Sequence, residues 1–347
     1  MDAREDYEIL LLTEKECMQL EDEYEVLIPI LNLDVKDSEF RIGDITVKKM
    51  GEKSLEEFGM KKEFKNILVK NLYENIVDKT AVIIPIRGNN ITIICEDARR
   101  KADYAIRVLQ VALSSQWGLT DLALLFKQNE TIIYRKKNTP SSVVGNWHLG
   151  HRPVGLEIDE GYEKRINEFL SIIQVIFNEQ NISPKLEECF ERALIWIGRS
   201  IEEEDLDIKI IKLSIALETI LTTINDPRKE EAITARIMLL NDIYFNEQVF
   251  KPAEVLRIYK LRSKIVHGSK LGITEKIDYL SMLEVAIHTL IYSIKVIQSK
   301  DLKNHNKFID TLNSHEGREK IIKWLKEQGD KRLSKLIKYM EEIYLNT

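Results

Sequence analysis

The chain has 347 residues, of which 44% are hydrophobic and 31% are charged, so it is long enough for two compact domains and too apolar to be disordered. Its formal net charge of −6 argues against a protein that coats nucleic acid by bulk electrostatics, although a local basic patch is compatible with it. The three cysteines, Cys17, Cys95 and Cys189, lie far apart and match no paired metal spacing. This spacing argues against structural zinc and favours reduced thiols.

The chain opens with an acidic stretch, residues 1–6, which lacks the basic and apolar regions of a signal peptide. No uninterrupted apolar run approaches the roughly 18 residues that a membrane-spanning helix needs. We therefore expect a cytoplasmic protein that does not contact a membrane.

Up to about residue 150 the pattern is mixed α and β. Short runs rich in β-branched residues predict strands at 24–31, 40–48, 81–86, 91–94, 122–126 and 131–134. Apolar residues at helical spacing predict a helix over 97–115 that packs against a sheet. The basic, turn-rich stretch 136–150 is the best candidate for a linker. We therefore expect an α+β N-terminal domain over 1–150.

From about residue 158 onward, helical periods follow one another. They predict helices over 159–179, 185–203, 206–224, 228–242, 252–267 and 275–299, and shorter helices in a tail to residue 347. The helix at 206–224 is apolar on nearly every side between Ile210 and Leu221, which is typical of a central helix. The second domain, 151–347, should be an all-α bundle, so the chain is expected to be mostly α overall.

The helix at 252–267 carries the two residues that indicate a catalytic site. Arg262 and His267 lie five positions apart, and at about 100° per residue Arg262 falls on the apolar side between Ile258 and Ile265. A charged group there needs a carboxylate partner or an anion, and Glu218 on the central helix is the expected partner. A fixed positive charge suits a phosphate, and a histidine exchanges a proton near neutral pH.

Arg262 and His267 also have a purely structural interpretation. A buried arginine with a glutamate is often only an ion pair, and a histidine before a glycine is often only a helix end. On one unbroken helix, Arg262 and His267 would also project about 140° apart, too divergent to share a phosphate. Either a break at Gly268 turns the histidine back, or a second subunit supplies the other half of the site.

Several pieces of the second domain together resemble a known family. Arg192, Trp196 and Arg199 lie in one predicted helix, ALETIL at 216–221 in the central one, and Arg236 in the next. The stretch 259–268, YKLRSKIVHG, resembles an Arg-x(4–6)-His signature. In this order the motifs resemble the Apea-like branch of the HEPN domains, with the core match over about 190–300. FRIGDITV at 40–47 also resembles the opening of longer proteins that carry this domain.

The resemblance implies a metal-independent endoribonuclease, commonly a homodimer in which two Arg-His motifs meet at one composite cleft. His267 would move a proton to or from the ribose or leaving oxygen while Arg262 offsets the phosphate charge. RNA would then end in a 2′,3′-cyclic phosphate and a 5′-hydroxyl. Glu218 would orient Arg262, and Lys264 would contact the RNA backbone. Ser263 departs from the polar Asn, Asp or His of many members, although its hydroxyl can still form a hydrogen bond.

Other candidate chemistry is weaker. The sequence has no phosphate-binding P-loop, no dinucleotide fingerprint after a strand and no His-Glu-x-x-His motif. We expect no cofactor and no metal. Trp147, His148 and His151 could bind a metal or stack a base, but the glycines around them favour a surface loop. His305 and His315 are expected at the surface, and His288 is expected to be a core residue.

Two functional hypotheses follow. The first is a ribonuclease effector in anti-phage defence or a toxin-like role, whose N-terminal domain senses a trigger or binds a regulatory partner. The second is a non-catalytic HEPN scaffold that dimerises and binds RNA, protein or a nucleotide signal; Ser263 and the acidic overall charge favour it. The N-terminal domain contains no fingerprint that names a ligand.

Overall fold

In the computed structural model, the chain divides into two compact units. The first comprises Met1–Ala105 and Phe126–Ile158, and the second comprises Ile106–Leu125 and Asp159–Thr347. The structure describes residues 22–58, 60, 73–74, 76–114, 127–129, 132–136, 142–144, 156–178, 182–223, 226, 228–245, 249–268, 272 and 274–345. The segment 106–125 thus groups with the helical unit, whereas the sequence pattern changes only near residue 150.

The first unit is built on an antiparallel sheet. Its described strands are β1 (Asp22–Leu31), β2 (Leu33–Asp34), β3 (Glu39–Ile42), β4 (Ile45–Lys49), β5 (Thr80–Gly88), β6 (Lys127–Gln128), β7 (Ile132–Lys136), β8 (Ser142–Val144) and β9 (Leu156–Glu157). The main sheet has the order β3-β4-β5-β1-β7-β8, with β6 also paired to β1, while β2 and β9 form a separate parallel pair. The run predicted at 40–48 is a hairpin, because Gly43 adopts a φ of +60° and turns the chain between β3 and β4.

Two predictions in this unit were wrong. Residues 91–94 are not a strand but the first turn of a helix, Ile91–Ser114, because the Asn90 side chain accepts hydrogen bonds from the backbone N–H groups of Thr92 (2.9 Å) and Ile93 (3.3 Å). The stretch 136–150 is not simply a linker, since β8 lies inside it and pairs with β7. Both β8 valines favour a strand. The strand predicted at 122–126 lies outside the described residues.

The helices follow the predicted order closely. They are α1 (Glu52–Glu57), α2 (Ile91–Ser114), α3 (Glu160–Asn178), α4 (Pro184–Glu202), α5 (Leu206–Leu221), α6 (Lys229–Phe245), α7 (Pro252–Val266), α8 (Lys276–Ser299), α9 (His305–Asn313), α10 (Arg318–Glu327) and α11 (Ser334–Leu345). No described residue from Glu160 onward lies in a strand. The fold class is therefore confirmed: an α+β N-terminal part is followed by an all-α helical region.

Helix α5 is central in the bundle, as predicted, because it packs against α4, α6, α7 and α8. It begins after Asp205, whose carboxylate accepts hydrogen bonds from two backbone N–H groups of the first turn. Some of its polar residues are buried and form hydrogen bonds. Lys209 Nζ donates to the carbonyl of Ile201 (3.1 Å), and the Asp207 carboxylate accepts from the N–H groups of Gly272 and Thr274. The two hydrogen bonds to Asp207 fix the chain just before α8 begins.

Candidate functional site around Arg262

Helix α7 presents Arg262 beside the ends of two other helices. The helix begins with Pro252 at its first turn, where the missing N–H costs no hydrogen bond. Val255, Ile258 and Ile265 are buried, so the predicted apolar stripe faces the bundle. Arg262 lies on the same side, and its side chain is 29% exposed. The guanidinium is therefore half-buried at the edge of the bundle, still within reach of a ligand.

Glu218, on the last turn of α5, is the partner of Arg262. Its Oε1 lies 3.1 Å from Nη2 of the arginine, and the glutamate side chain is 16% exposed. The second carboxylate oxygen lies 3.4 Å from Nζ of Lys229, in the first turn of α6. Sequence reasoning missed Lys229, because its contact depends on how the α5–α6 connection folds. The glutamate thus bridges two cations and fixes the end of one guanidinium.

A second carboxylate also acts on Arg262. Glu230 follows Lys229, and its pKa is raised, first by burial and then by the neighbouring Glu231, while Lys260, Lys335 and Arg262 pull it down. Nε of Arg262 is buried, and no described residue accepts a hydrogen bond from it. A buried donor without an acceptor is costly. An anion would gain that donor only if the side chain moved to expose Nε, and the negative charges of Glu218 and Glu230 act on the same guanidinium.

Tyr259 anchors the same face of α7 one turn earlier. Its ring is fully buried, and its hydroxyl donates to the carbonyl of Ser214 at 3.1 Å. Burial raises the pKa of Tyr259 well above its ordinary value, and the negative charge of Glu218 raises it further. The tyrosine is thus a neutral hydrogen-bond donor that ties α7 to α5. It fixes the helix that carries Arg262 and is not placed for proton transfer.

His267 lies exposed at the end of the helix. Its backbone N–H still donates to the carbonyl of Ser263 (3.1 Å), so the residue keeps the helical register, and Gly268 with a φ of +66° ends the helix after it. The break that Gly268 makes therefore does not fold His267 back toward Arg262. Within one chain the two side chains start in directions about 140° apart. Lys264 is exposed, and Ser263 is partly buried.

Two histidines do not lie where the sequence suggested. His305, expected at the surface, is buried, and its Nε2 lies 2.8 Å from the carbonyl of Ile220. His315 is mostly buried, with Nε2 2.8 Å from a carboxylate oxygen of Asp242. His305 is the first residue of α9 and His315 follows its end, and no local pattern shows which other elements these ends contact. His288 is half-buried among aromatic rings.

A buried ion pair of the bundle, Arg236 with Asp226, was also missed. Arg236 and Asp226 are joined by two hydrogen bonds of 2.6 and 2.9 Å, and both side chains are nearly inaccessible. Arg236 also donates to the carbonyl of Leu221 (2.6 Å), the last residue of α5, and to Asn313. This arginine therefore closes the end of the central helix and belongs to the framework. An arginine inside the apolar run 232–240 was the signal that could have indicated it.

No cluster of three or more metal-ligating side chains exists among the described residues, while Trp147, His148 and His151 lie outside them. Helix α8 is the one described helix that is long and apolar enough to cross a membrane. However, 61% of its most apolar window is buried within the unit, which is typical of a core helix. Comparisons with protein-family models, with curated proteins and with solved structures give no match for this chain.

Proposed function

We propose that the chain is a cytoplasmic, metal-independent endoribonuclease of the HEPN type, acting as a bacterial anti-phage or toxin-like effector. The observation that carries the proposal is the half-buried Arg262, which Glu218 holds at 3.1 Å while its Nε has no acceptor among the described residues. A guanidinium that is already oriented, and still partly unsatisfied, is suited to a phosphate. His267 at the end of the same helix supplies a group that can exchange a proton.

The proposed reaction needs no bound group. The ribose 2′-hydroxyl of the RNA attacks the adjacent phosphorus and loses its proton, and the 5′-oxygen of the next nucleotide leaves with a proton. His267 exchanges these protons, and Arg262 offsets the charge that develops on the phosphate oxygens. Glu218 orients Arg262, Ser263 offers a hydroxyl beside it, and Lys264 contacts the RNA backbone. The products are a 2′,3′-cyclic phosphate and a 5′-hydroxyl, and DNA is resistant.

The geometry of α7 makes this a proposal about two chains. Because His267 keeps the helical register, the histidine and the arginine of one chain diverge. A homodimer in which the Arg262 of one chain faces the His267 of its partner would join them at one phosphate. The exposed Val266, between the two motif residues, offers apolar surface for such a contact.

The second candidate is a non-catalytic scaffold that binds RNA, protein or a nucleotide signal. The carboxylates near Arg262 favour it, since Glu218 already neutralises the guanidinium and Glu230 adds negative charge nearby. In this case Arg262 and Glu218 form a structural ion pair, and His267 is only a helix end.

A cleavage assay separates the two candidates. The full chain, Arg262→Ala and His267→Ala are incubated with labelled single-stranded RNA in EDTA, and the ends of the products are identified. We expect cleavage by the unmodified chain and losses of at least about a hundredfold in both variants. Arg257→Ala is the matched control, since Arg257 lies on the same helix, is half-exposed and pairs with Asp278 at 2.5 Å.

Equal cleavage by the unmodified chain and by all three variants, including the Arg257→Ala control, would reject the ribonuclease hypothesis. The two-chain site is tested by mixing the Arg262→Ala and His267→Ala proteins. In each mixed dimer, the intact Arg262 of one chain faces the intact His267 of the other, so one complete site is restored. No recovery of activity on mixing, or a monomer in light scattering at micromolar concentration, would reject the composite cleft.

A further inference from the structure

A second feature of the helical unit lies outside the Arg262 site. Four aromatic rings form a continuous stack in the order Phe250, His288, Tyr292, Tyr244. Tyr292 stacks on His288 at a centroid distance of 5.4 Å and on Tyr244 at 4.9 Å, with 21° between the planes in both pairs. Phe250 contacts His288 at the inner end of the stack, at a centroid distance of 5.6 Å and with its ring tilted by 35°. We call these four residues the aromatic stack.

The outer end of the stack is open to solvent. Tyr244 is the last ring, and 39% of its surface is exposed. Phe245 stands edge-on to both Tyr244 and Tyr292, at 88° and 89°, and holds the two rings in place from the side. Phe245 is itself 37% exposed. Aromatic rings that remain partly exposed offer flat apolar surface on which a ligand can stack.

Positive charge lies beside this open end. Nζ of Lys295 donates to the hydroxyl of Tyr244 at 2.9 Å and lies 5.1 Å from its ring centroid. Lys295 also lines a groove of about 330 Å³ between α3 and α8, whose other wall includes Arg165. Glu168 shares that wall, and its carboxylate lies 3.9 Å from Nζ of Lys164, which offsets its charge. Two cations thus line one groove, and one of them, Lys295, also contacts the partly exposed ring of Tyr244.

We infer that the aromatic stack, Lys295 and Arg165 form a binding surface for single-stranded RNA, in which an unpaired base extends the stack on Tyr244 and phosphates follow Lys295 toward Arg165. Flat rings that bind bases by stacking, next to cations that follow the backbone, are the usual chemistry of single-strand recognition. A base in a duplex is already stacked on both faces, so double-stranded RNA should not compete. The choice of RNA rests on the proposed function, whereas the stacking chemistry would accept an unpaired base of DNA as well.

Direct binding tests this inference without requiring cleavage. Fluorescence anisotropy is measured at low salt with a labelled oligouridine of about twelve nucleotides, within the roughly 4–16 nucleotides that one such surface covers. The protein is the full chain carrying Arg262→Ala, in EDTA. Single-stranded DNA of matched length and a duplex RNA are run in parallel. We expect the single strands to bind and the duplex to bind at least about tenfold more weakly.

Substitutions in the stack then identify the surface. Tyr244→Leu, which keeps an apolar side chain but removes the ring, should weaken binding about five- to tenfold or more. Tyr244→Phe keeps the ring and should bind within about twofold of the parent. Lys295→Gln should weaken binding and reduce its dependence on salt. Tyr24→Leu is the matched control, since Tyr24 pairs with Tyr134 in the first unit and should leave binding unchanged.

Two results would overturn the inference. One is unchanged RNA binding by Tyr244→Leu in a variant that keeps its thermal unfolding temperature. The other is a dimer that Tyr244→Leu dissociates while RNA binding is unaffected, which would make the stack a protein interface. Binding that depends on Tyr244 in a protein that cleaves no RNA would instead reject only the ribonuclease and leave the binding surface in place.

Discussion

Glu218 and Arg262, which are 44 positions apart in the chain, meet across two helices, with Oε1 and Nη2 3.1 Å from each other and both side chains only partly exposed. The contact determines the direction of the guanidinium, because Lys229 holds the second carboxylate oxygen and leaves Glu218 little freedom. The same contact lowers the net charge that an incoming phosphate would meet. The Glu218–Arg262 contact can therefore affect activity in two ways. It positions the guanidinium, and it competes with the phosphate for the positive charge of Arg262.

Glu218→Gln separates these two effects. The amide keeps the shape of the side chain but removes its charge, so Arg262 becomes less fixed and less neutralised. In the proposed ribonuclease we expect kcat to fall about tenfold while KM stays the same or falls, and the free energy of unfolding to change by no more than about 1 kcal/mol.

The control for this variant is Glu203→Gln, since Glu203 is also partly buried and pairs with Lys212 at 2.7 Å away from the site. It should leave both kinetic constants unchanged. A Glu218→Gln protein with unaltered kcat would contradict a positioning role for Glu218.

Asp226→Asn should destabilise the bundle strongly. The substitution leaves Arg236 buried beside a neutral group, and breaking a buried pair in this way costs about 3–5 kcal/mol. Urea unfolding followed by circular dichroism measures the loss. Asp97→Asn, which removes the partner of the exposed Arg100, should cost less than about 0.5 kcal/mol. Equal losses in the two variants would contradict the framework role of Arg236.

The same pair predicts a pH dependence. Burial raises the pKa of Asp226, but its hydrogen bonds with Arg236 and with Thr223 outweigh burial and hold the pKa below its ordinary value. The stabilisation is therefore complete above the unfolded pKa of about 3.9 and is lost as the pH falls from there toward the folded pKa. Unfolding measured between about pH 5 and pH 2 should show this loss, and Asp226→Asn should reduce its slope. An unchanged slope would contradict it.

The buried His305 and the half-buried His288 predict a second loss of stability at a higher pH. Burial lowers the pKa of His305, against the opposing hydrogen bond with the Ile220 carbonyl, and burial also lowers the pKa of His288. The unfolded chain then takes up protons first, so stability is complete above about pH 6.5 and falls as the pH decreases below it. We expect His305→Asn and His288→Asn each to flatten the curve of unfolding free energy between about pH 7 and pH 5. A curve that neither substitution flattens would contradict the prediction.

Gly198→Ala should destabilise α4. A Cβ atom on Gly198 would lie 2.6 Å from Cδ and 2.7 Å from Cβ of Arg107, and the Cβ cannot move without its backbone. We expect a loss of about 1–3 kcal/mol from this overpacking, measured by chemical unfolding. Gly51→Ala is the control, because no atom lies within 4 Å of its added Cβ. Arg107→Ala should not rescue the variant, because the Cβ of residue 107 remains.

The sequence by itself determined the helical unit almost completely. Its helices were predicted to within a few residues, because each buries one apolar face and begins or ends at a local signal such as Asp205 or Gly268. Asp205 forms its hydrogen bonds within two or three residues, and Gly268 ends α7 by its own backbone conformation, so both effects can be read along the chain. The prediction that Arg262 meets Glu218 succeeded for a related reason: helical periodicity placed Arg262 on the inward face of its helix, and Glu218 is a carboxylate on the central helix that this face meets.

Only the tertiary structure decided what these residues touch. Lys229 contacts Glu218, Arg236 closes the end of α5, and Tyr244 stacks on Tyr292, and each contact joins separate helices whose relative placement no local pattern contains. The N-terminal unit shows the same limit, since Ile91 to Ile94 have the composition of a strand and form a helix once Asn90 caps them. The periodicity of apolar residues along the chain indicates which side of a helix or strand is buried. The partner on that side is determined by packing between elements that are distant in the chain.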